Sequence, residues 1–266
     1  MSKFIDQHYL KTDQYKDSSN LDARVAIHTH FSTNPYGWMN WVFDRLLKLP
    51  EEVEVLELGC GPGYLWKENA HRIPSGWRIT LSDLSAGMLD AAWRNLVVSG
   101  RAFQFKEIDA QHIPFADQTF DAVIANHMLY HVPDKTKALT EIHRVLRPAG
   151  RLFATTVGAG HMDEVNGRLQ EISRGGFVRV AVESFTLENG AEQLKPFFSD
   201  VSVSRYDDSL RVTELEPLIA YIRSMVSVSD LQEDKLEILK QEFKKRLEER
   251  GEIFVTKASG LFEAVK

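Results

Sequence analysis

Cysteine is almost missing from this 266-residue chain: Cys60 is the one thiol, so no disulfide can form within the chain and a reducing compartment is expected. Long apolar runs are missing too, so no membrane-spanning helix is expected. The opening Met1-Ser2-Lys3-Phe4-Ile5-Asp6 lacks the apolar centre of a signal peptide, and a soluble, cytoplasmic protein without a membrane partner is the expectation. There is no excess of positive charge: 32 Lys and Arg stand against 38 Asp and Glu, a net charge of −6. That balance argues against nucleic acid as a partner, whose binding draws on clustered Lys and Arg, and no basic stripe is apparent. The densest basic stretch, Lys240 to Arg250, is interleaved with Glu242, Glu248 and Glu249 and reads as a solvated helix face. Internal repeats and low-complexity tracts are absent as well.

What is present is concentrated in residues 53–63. Val53, Val55, Leu56 and Leu58 form the short apolar run of a strand buried on both faces. Glu57 interrupts it near its end, and Gly59, Gly61 and Gly63 follow at alternate positions. Glycines there permit a tight turn and close approach of a ligand to the backbone. A second apolar stretch, Trp77-Arg78-Ile79-Thr80-Leu81, leads to Asp83, an acid placed to accept hydrogen bonds from ribose hydroxyls. The pattern points to an adenosine-containing cofactor at the mouth of a parallel sheet. A pyrophosphate is a poor match: the third glycine of G-x-G-x-x-G comes one place early, Tyr64 occupies its position, Pro62 has no N–H, and Glu57 repels phosphate. A sulfonium cofactor, which carries positive charge and no phosphate, tolerates all of these.

The E-x-G-x-G-x-G loop after a strand resembles the first motif of class I methyltransferases, which use S-adenosylmethionine. The resemblance runs through residues 50–157. Asp109-Ala110-Gln111 with Ile113-Pro114-Phe115 is similar to the family's segment after its third strand. Phe120 to Asn126 is similar to its fourth strand, and Glu141 to Leu152 to the helix, Pro-Gly turn and fifth strand that follow. The fold this implies is α/β: a Rossmann-like doubly wound sheet, mostly parallel, with an antiparallel last strand between strands five and six. Leu261–Val265 is the candidate for that strand. Periodicity agrees, with helices over 38–49, 65–73, 86–98 and 135–146 and strands over 77–82, 103–107, 121–126 and 151–157.

Beyond the core, residues 1–17 read as an irregular lead-in, and a helix capped by Ser19 or Asn20 follows. Helices are expected over 186–198, 214–225 and 231–249. A strand is expected over 201–206, and closing strands over 253–257 and 261–265. The whole chain, 1–266, is expected to be a single domain. Its N-terminal lid and first helix fill 1–49, the cofactor-binding core 50–157, and two segments longer than a minimal core needs, 158–182 and 213–250, form either a cap over the substrate or a dimer contact. Monomer and homodimer both stay open.

For the cofactor, Glu57, Gly59, Gly61, Gly63 and Asp83 are the loop and ribose candidates, with Leu84 and Met88 packing on the adenine. The resemblance adds Asp109 near the adenine amino group and Ala110 with its backbone N–H, and Asn126 and His127, at the end of the fourth strand, are expected beside the methionine part. For catalysis, His127 and His131 follow the fourth strand, at the rim where open α/β sheets bind ligands. In phosphobase methyltransferases a histidine at a position like His131 pairs with an N-terminal tyrosine, which makes Tyr15 the partner here. The alternative for His131 is packing or capping. His28, Phe31 and Tyr36 are substrate-binding candidates, as a lid or as aromatics packed on the sheet. A metal at His28 and His30 is disfavoured because i, i+2 spacing splays them on a helix. The function implied is methyl transfer from S-adenosylmethionine to oxygen, nitrogen or carbon of a small molecule. A nicotinamide-dependent oxidoreductase and a non-catalytic cofactor-binding module are the alternatives.

Overall fold

The computed structural model describes residues 2–173, 184–225 and 231–266. Its centre is a seven-stranded sheet in the order β3-β2-β1-β4-β5-β9-β6. These are β1 (Glu52–Leu58), β2 (Gly76–Asp83), β3 (Phe103–Glu107), β4 (Phe120–Asn126), β5 (Leu146–Val157), β6 (Ser199–Tyr206) and β9 (Ser259–Val265). Neighbours from β3 to β5 run parallel, and β9 lies antiparallel between β5 and β6, as the resemblance implied. The chain reverses its lateral direction at β1 and β4, and open α/β sheets bind ligands in the crevice at such a switch point.

The sheet is covered on both faces, which explains why β1 and β4 are almost uninterrupted apolar runs. Helices Trp38–Leu46, Tyr64–Glu68 and Ala86–Leu96 bury Phe43, Trp66 and Leu96 on one face; helix Lys135–Val145 buries Leu139 and Ile142 on the other. Local chemistry starts these helices. Ser85 Oγ accepts from Met88 N–H at 3.3 Å and Asp134 Oδ1 from Lys137 N–H at 2.9 Å, each satisfying an orphan donor of the first turn.

The departures from expectation have local causes. The lead-in is not irregular: Gln7–Tyr9 is a helical turn capped by Asp6 and runs into a π-helical stretch, Leu10–Gln14. The expected helix over 186–198 shrinks to Gly190–Leu194. Thr186 and Asn189 form a reciprocal cap, with Thr186 N–H donating to Asn189 Oδ1 at 2.8 Å and Asn189 N–H to Thr186 Oγ1 at 3.2 Å, which starts the helix, and Pro196 ends it early. The expected Pro-Gly turn is absorbed into β5, which begins at Leu146 and shifts register opposite β4. The expected closing strand over 253–257 lies outside the main sheet: β8 (Ile253–Thr256) pairs antiparallel with β7 (Ser209–Val212).

A second core sits above the carboxyl ends of the strands. Ile27 and Phe31 of helix Ser19–Phe31 pack with Leu169 of helix Asp163–Ile172, Leu218 of helix Leu215–Arg223, and Leu239 and Phe243 of helix Glu233–Arg250. The N-terminal helix and the described parts of the two long segments therefore share one apolar interior. The remainder of 158–182, from 174 on, lies outside the described residues.

Candidate active site

Between the sheet and this second core lies a cavity of about 760 Å³. Its floor comes from the carboxyl ends of β1, β2 and β4. Gly59 and Gly61 have φ of +67° and +52°, a conformation L side chains rarely adopt. A Cβ at Gly59 would stand 2.9 Å from Met128 Cβ, and one at Gly61 3.1 Å from Leu21 Cδ2. The loop is thus a bare-backbone cradle closed from above by the N-terminal helix.

The acids of the floor are held by specific donors. Asp83 accepts from Gly61 N–H and from Ser85 N–H, each at 2.9 Å, and burial pushes its carboxyl above the ordinary range. Glu57 is 2% exposed and accepts from Trp66 Nε1–H at 2.5 Å and Asn126 Nδ2–H at 2.8 Å. Burial raises its carboxyl to about 7 against the pull of those two donors. Burial also acts upward on Asp109, but hydrogen bonds from Gln111 and Gln7 outweigh it and hold the group below its usual value. Cys60 lines the cavity with its thiol pushed up by burial, which leaves it uncharged.

The roof is docked by contacts that local sequence patterns do not announce. Ser85 Oγ donates to the Tyr15 carbonyl at 2.7 Å, and a Cβ at Gly87 would fall 1.8 Å from the Lys16 carbonyl. Gly87 is therefore the seat of the lead-in. It carries no signal in the sequence beyond being a glycine in the first turn of a helix.

Tyr15 and His131 meet, although 116 positions separate them: Tyr15 Oη lies 2.9 Å from His131 Nε2. His131 Nδ1 lies 2.8 Å from the Phe4 carbonyl, which can only accept, so the proton is assigned to Nδ1 and Nε2 accepts from the Tyr15 hydroxyl. Burial lowers His131 to about 4 against the Phe4 bond. The neighbouring His127 is also lowered to about 4, by burial first and then by Lys257. His127 has φ of +48° at the end of β4, which turns its ring toward Trp38, 5.4 Å away.

A family model described as methyltransferase domain matches residues 56–154, the span from β1 through β5 that builds this floor. Residues 56–154 are a class I methyltransferase domain. The chain is 36% identical over 146 residues to a demethylmenaquinone methyltransferase of Lactobacillus johnsonii, an alignment covering 52% of this chain and 59% of that one. It is 35% identical over 131 residues to a malonyl-[acyl-carrier protein] O-methyltransferase of Yersinia pestis, covering 48% and 46%. The chain spans about half the length of the curated relatives it matches. Among solved structures, phosphoethanolamine N-methyltransferase 2 of Haemonchus contortus, in complex with S-adenosyl-L-methionine, superposes with a TM-score of 0.61 at 22% identity, covering 100% of this chain and 60% of that one. The YcgJ protein of Bacillus subtilis superposes with a TM-score of 0.58 at 16% identity, covering 85% and 97%. These likenesses extend the methyltransferase fold beyond the matched span.

The cofactor of this class is S-adenosyl-L-methionine, and the residues of the methyltransferase domain fit it. The bare cradle at Gly59 and Gly61 leaves room for close approach. Asp83, pinned by loop amides, presents its carboxyl to the cavity, and Leu84, Met88 and Ala110 supply an apolar wall with Asp109 at its edge. Two of the candidates do not line the cavity. Gly63 is not part of the cavity wall; its φ of +74° starts helix Tyr64–Glu68, and its missing Cβ admits Leu96 of the neighbouring helix at 3.0 Å. Phe31 is not part of the wall either: it is 8% exposed and packs in the second core, one helical turn beyond His28. Glu57 and Asn126 border the cavity, but the Asn126 amide is spent on Glu57 and Thr155. Tyr36 stands at the rim, 48% exposed, with its hydroxyl donating to Asp44 at 2.7 Å. His28 lines the cavity.

Proposed function

We propose that the protein transfers the methyl group of S-adenosylmethionine to a nucleophilic atom of a small molecule. One observation carries this reading: the cavity has two differently built sides. Gly59, Gly61, Asp83 and Asp109 border one, and Tyr15, Arg24, His28, Tyr130, His131 and Tyr221 border the other. A volume of about 760 Å³ is in the range that ligand sites occupy, with room for an acceptor beside the cofactor.

Bound there, S-adenosylmethionine supplies a methyl carbon already activated by a positive sulfur. The chain's task is then to align the acceptor and exclude water. The Tyr15–His131 pair fits that task as a clasp, since it ties the lead-in to the turn after β4 and closes the roof. As a base it is handicapped. Protonating a histidine held near 4 costs about 4 kcal/mol at neutral pH. An acceptor that arrives as a carboxylate or an uncharged amine needs no base and suits this site. The names of the relatives support methyl transfer, to oxygen in one and nitrogen in another; which atom applies here is part of the test.

The test is calorimetric titration of the full chain with S-adenosylhomocysteine and, separately, NADH, followed by a labelled-methyl screen of metabolites. Binding of S-adenosylhomocysteine alone is expected, and binding of NADH alone overturns the reading in favour of an oxidoreductase. Normal cofactor binding with no acceptor found favours a binding module. With an acceptor in hand, Tyr15→Phe and His131→Ala are expected to lower turnover by about tenfold or more with cofactor affinity little changed. Equal turnover would return the pair to a packing role.

A further inference from the structure

Arg24 is a cation in the cavity wall without a carboxylate. Its Nε donates to Ser224 Oγ at 3.2 Å, its Nη2 to the Ser224 carbonyl, and its Nη1 to the Tyr15 hydroxyl at 3.1 Å. All three acceptors are neutral groups, and part of the guanidinium's donor fork is left unspent. Among the described residues no Asp or Glu oxygen lies within ion-pair distance of Arg24. An arginine cannot shed its proton at neutral pH, so the charge stays.

A buried cation elsewhere shows how the fold treats one. The Lys257 side chain is 6% exposed and pairs with Asp208, itself 1% exposed and further bonded to Ser32 Oγ at 2.7 Å. Enclosed charges are normally paired in this way because desolvation is otherwise uncompensated. Arg24, partly buried at the cavity wall, has no such partner among the described residues, and the groups around it do not supply one. Tyr221 and Tyr130 face it, and burial holds both phenols in their protonated form. His28, one helical turn beyond Arg24, also lines the cavity; its Nδ1 is buried with no hydrogen-bond partner, and its ring stands edge-on to Tyr221 with centroids 6.0 Å apart. The acids of the cavity lie elsewhere: Glu57, Asp83 and Asp109 border the glycine loop and the strand ends, Glu68 ends the helix that follows the loop, and Asp208 is taken by Lys257. The wall therefore has an acidic side that suits a cationic cofactor, and a cationic side lined by hydroxyls and imidazole.

We infer that Arg24, with Tyr15, Tyr221 and His28 around it, receives an anionic group, a carboxylate or a phosphate monoester, carried by the methyl acceptor. The inference rests on the methyl-transfer reading only for the word acceptor; an anion site at Arg24 stands by itself. It assigns the acceptor to small acids and phosphorylated compounds, and it agrees with a site that has a poor base, since an anchored carboxylate or amine needs none.

The test is calorimetry on the full chain saturated with S-adenosylhomocysteine, titrated at constant ionic strength with inorganic phosphate and, separately, with acetate. Uptake of one of them is expected, and the one that binds names the anion. Arg24→Met is expected to weaken that uptake at least about tenfold while S-adenosylhomocysteine affinity stays within about twofold; Arg24→Lys, which keeps the charge, should lose about threefold. Uptake of neither anion by the native chain overturns the inference. So does a variant that binds S-adenosylhomocysteine tenfold more weakly yet holds 5′-methylthioadenosine, which lacks the amino-acid carboxylate, as well as the native chain does: Arg24 then serves the cofactor. Should Arg24→Met fail to fold, His28→Ala takes its place, with a loss of about threefold in anion uptake expected and an unchanged value counting against the site. If the native chain does not bind S-adenosylhomocysteine, the methyl-transfer reading falls, and anion uptake by the free chain still decides the site.

Discussion

Glu57 has to ionise in a place where ionising is costly, and this makes its behaviour pH-dependent. Burial raises its carboxyl from 4.5 to about 7, so the folded chain holds the proton more tightly than the unfolded one. The contribution to stability is therefore full below 4.5 and is lost as the pH rises through about 7, in all roughly 3 kcal/mol. Cofactor binding runs the other way. A sulfonium and an ammonium favour the ionised carboxylate, whose fraction rises about tenfold between pH 6 and pH 8. S-adenosylmethionine affinity is expected to climb by about that factor over the span, and Glu57→Gln to flatten the profile; titrations at several pH values read both. At Asp83 the expectation is simpler. Asp83→Asn keeps the shape but removes acceptor capacity for the ribose, so S-adenosylhomocysteine should bind about tenfold or more weakly, with the circular dichroism of the native fold. Unchanged affinity in that variant would end the ribose assignment.

At the scale of elements, the three loop glycines divide their labour. Gly59 and Gly61 face the cavity, while Gly63 joins helix Tyr64–Glu68 to helix Ala86–Leu96 through its contact with Leu96. Gly63→Ala must place a side chain at φ of +74° and 3.0 Å from Leu96 Cδ1. A loss of about 1–3 kcal/mol of stability is expected, seen as a lower midpoint in urea, with S-adenosylhomocysteine affinity unaltered at temperatures where the variant is folded. A large loss of affinity without a loss of stability would put Gly63 back at the cofactor.

Across the whole molecule, the Lys257–Asp208 pair joins three distant segments. Asp208 precedes β7, Lys257 links β8 to β9, and Ser32 ends the N-terminal helix; Asn34 N–H also donates to Asp208, at 3.1 Å. Removing one partner of an enclosed pair strands the other charge. Asp208→Ala is expected to cost about 3–5 kcal/mol in chemical denaturation, and the double variant Asp208→Ala with Lys257→Met to recover much of that loss, because no stranded charge remains. A double variant no better than the single one would show that the hydrogen bonds to Ser32 and Asn34, rather than the charge, hold the roof.

Much of the core was legible because its signals are local. The apolar run Val53–Leu58, the alternating glycines and Asp83 lie within one strand–loop–helix–strand passage, and their chemistry needs no distant partner to be read. The antiparallel Leu261–Val265 was legible through resemblance, and β9 occupies that place. The failures were of two physical kinds. A proline such as Pro196 shortens a helix that periodicity extends, since it supplies no N–H to the next turn. One helix stripe was ambiguous as well: Arg24, His28 and Phe31 share a face at i, i+4 and i+7, and only tertiary packing seats Phe31 in the second core while the other two border the cavity. The sequence by itself determined the sheet, the glycine loop and the kind of cofactor, since these follow from residues close together along the chain. The closed roof, the meeting of Tyr15 with His131 across 116 positions and the unpaired charge of Arg24 were decided only in the tertiary structure, because each depends on which groups long-range packing brings together and which it leaves without a partner.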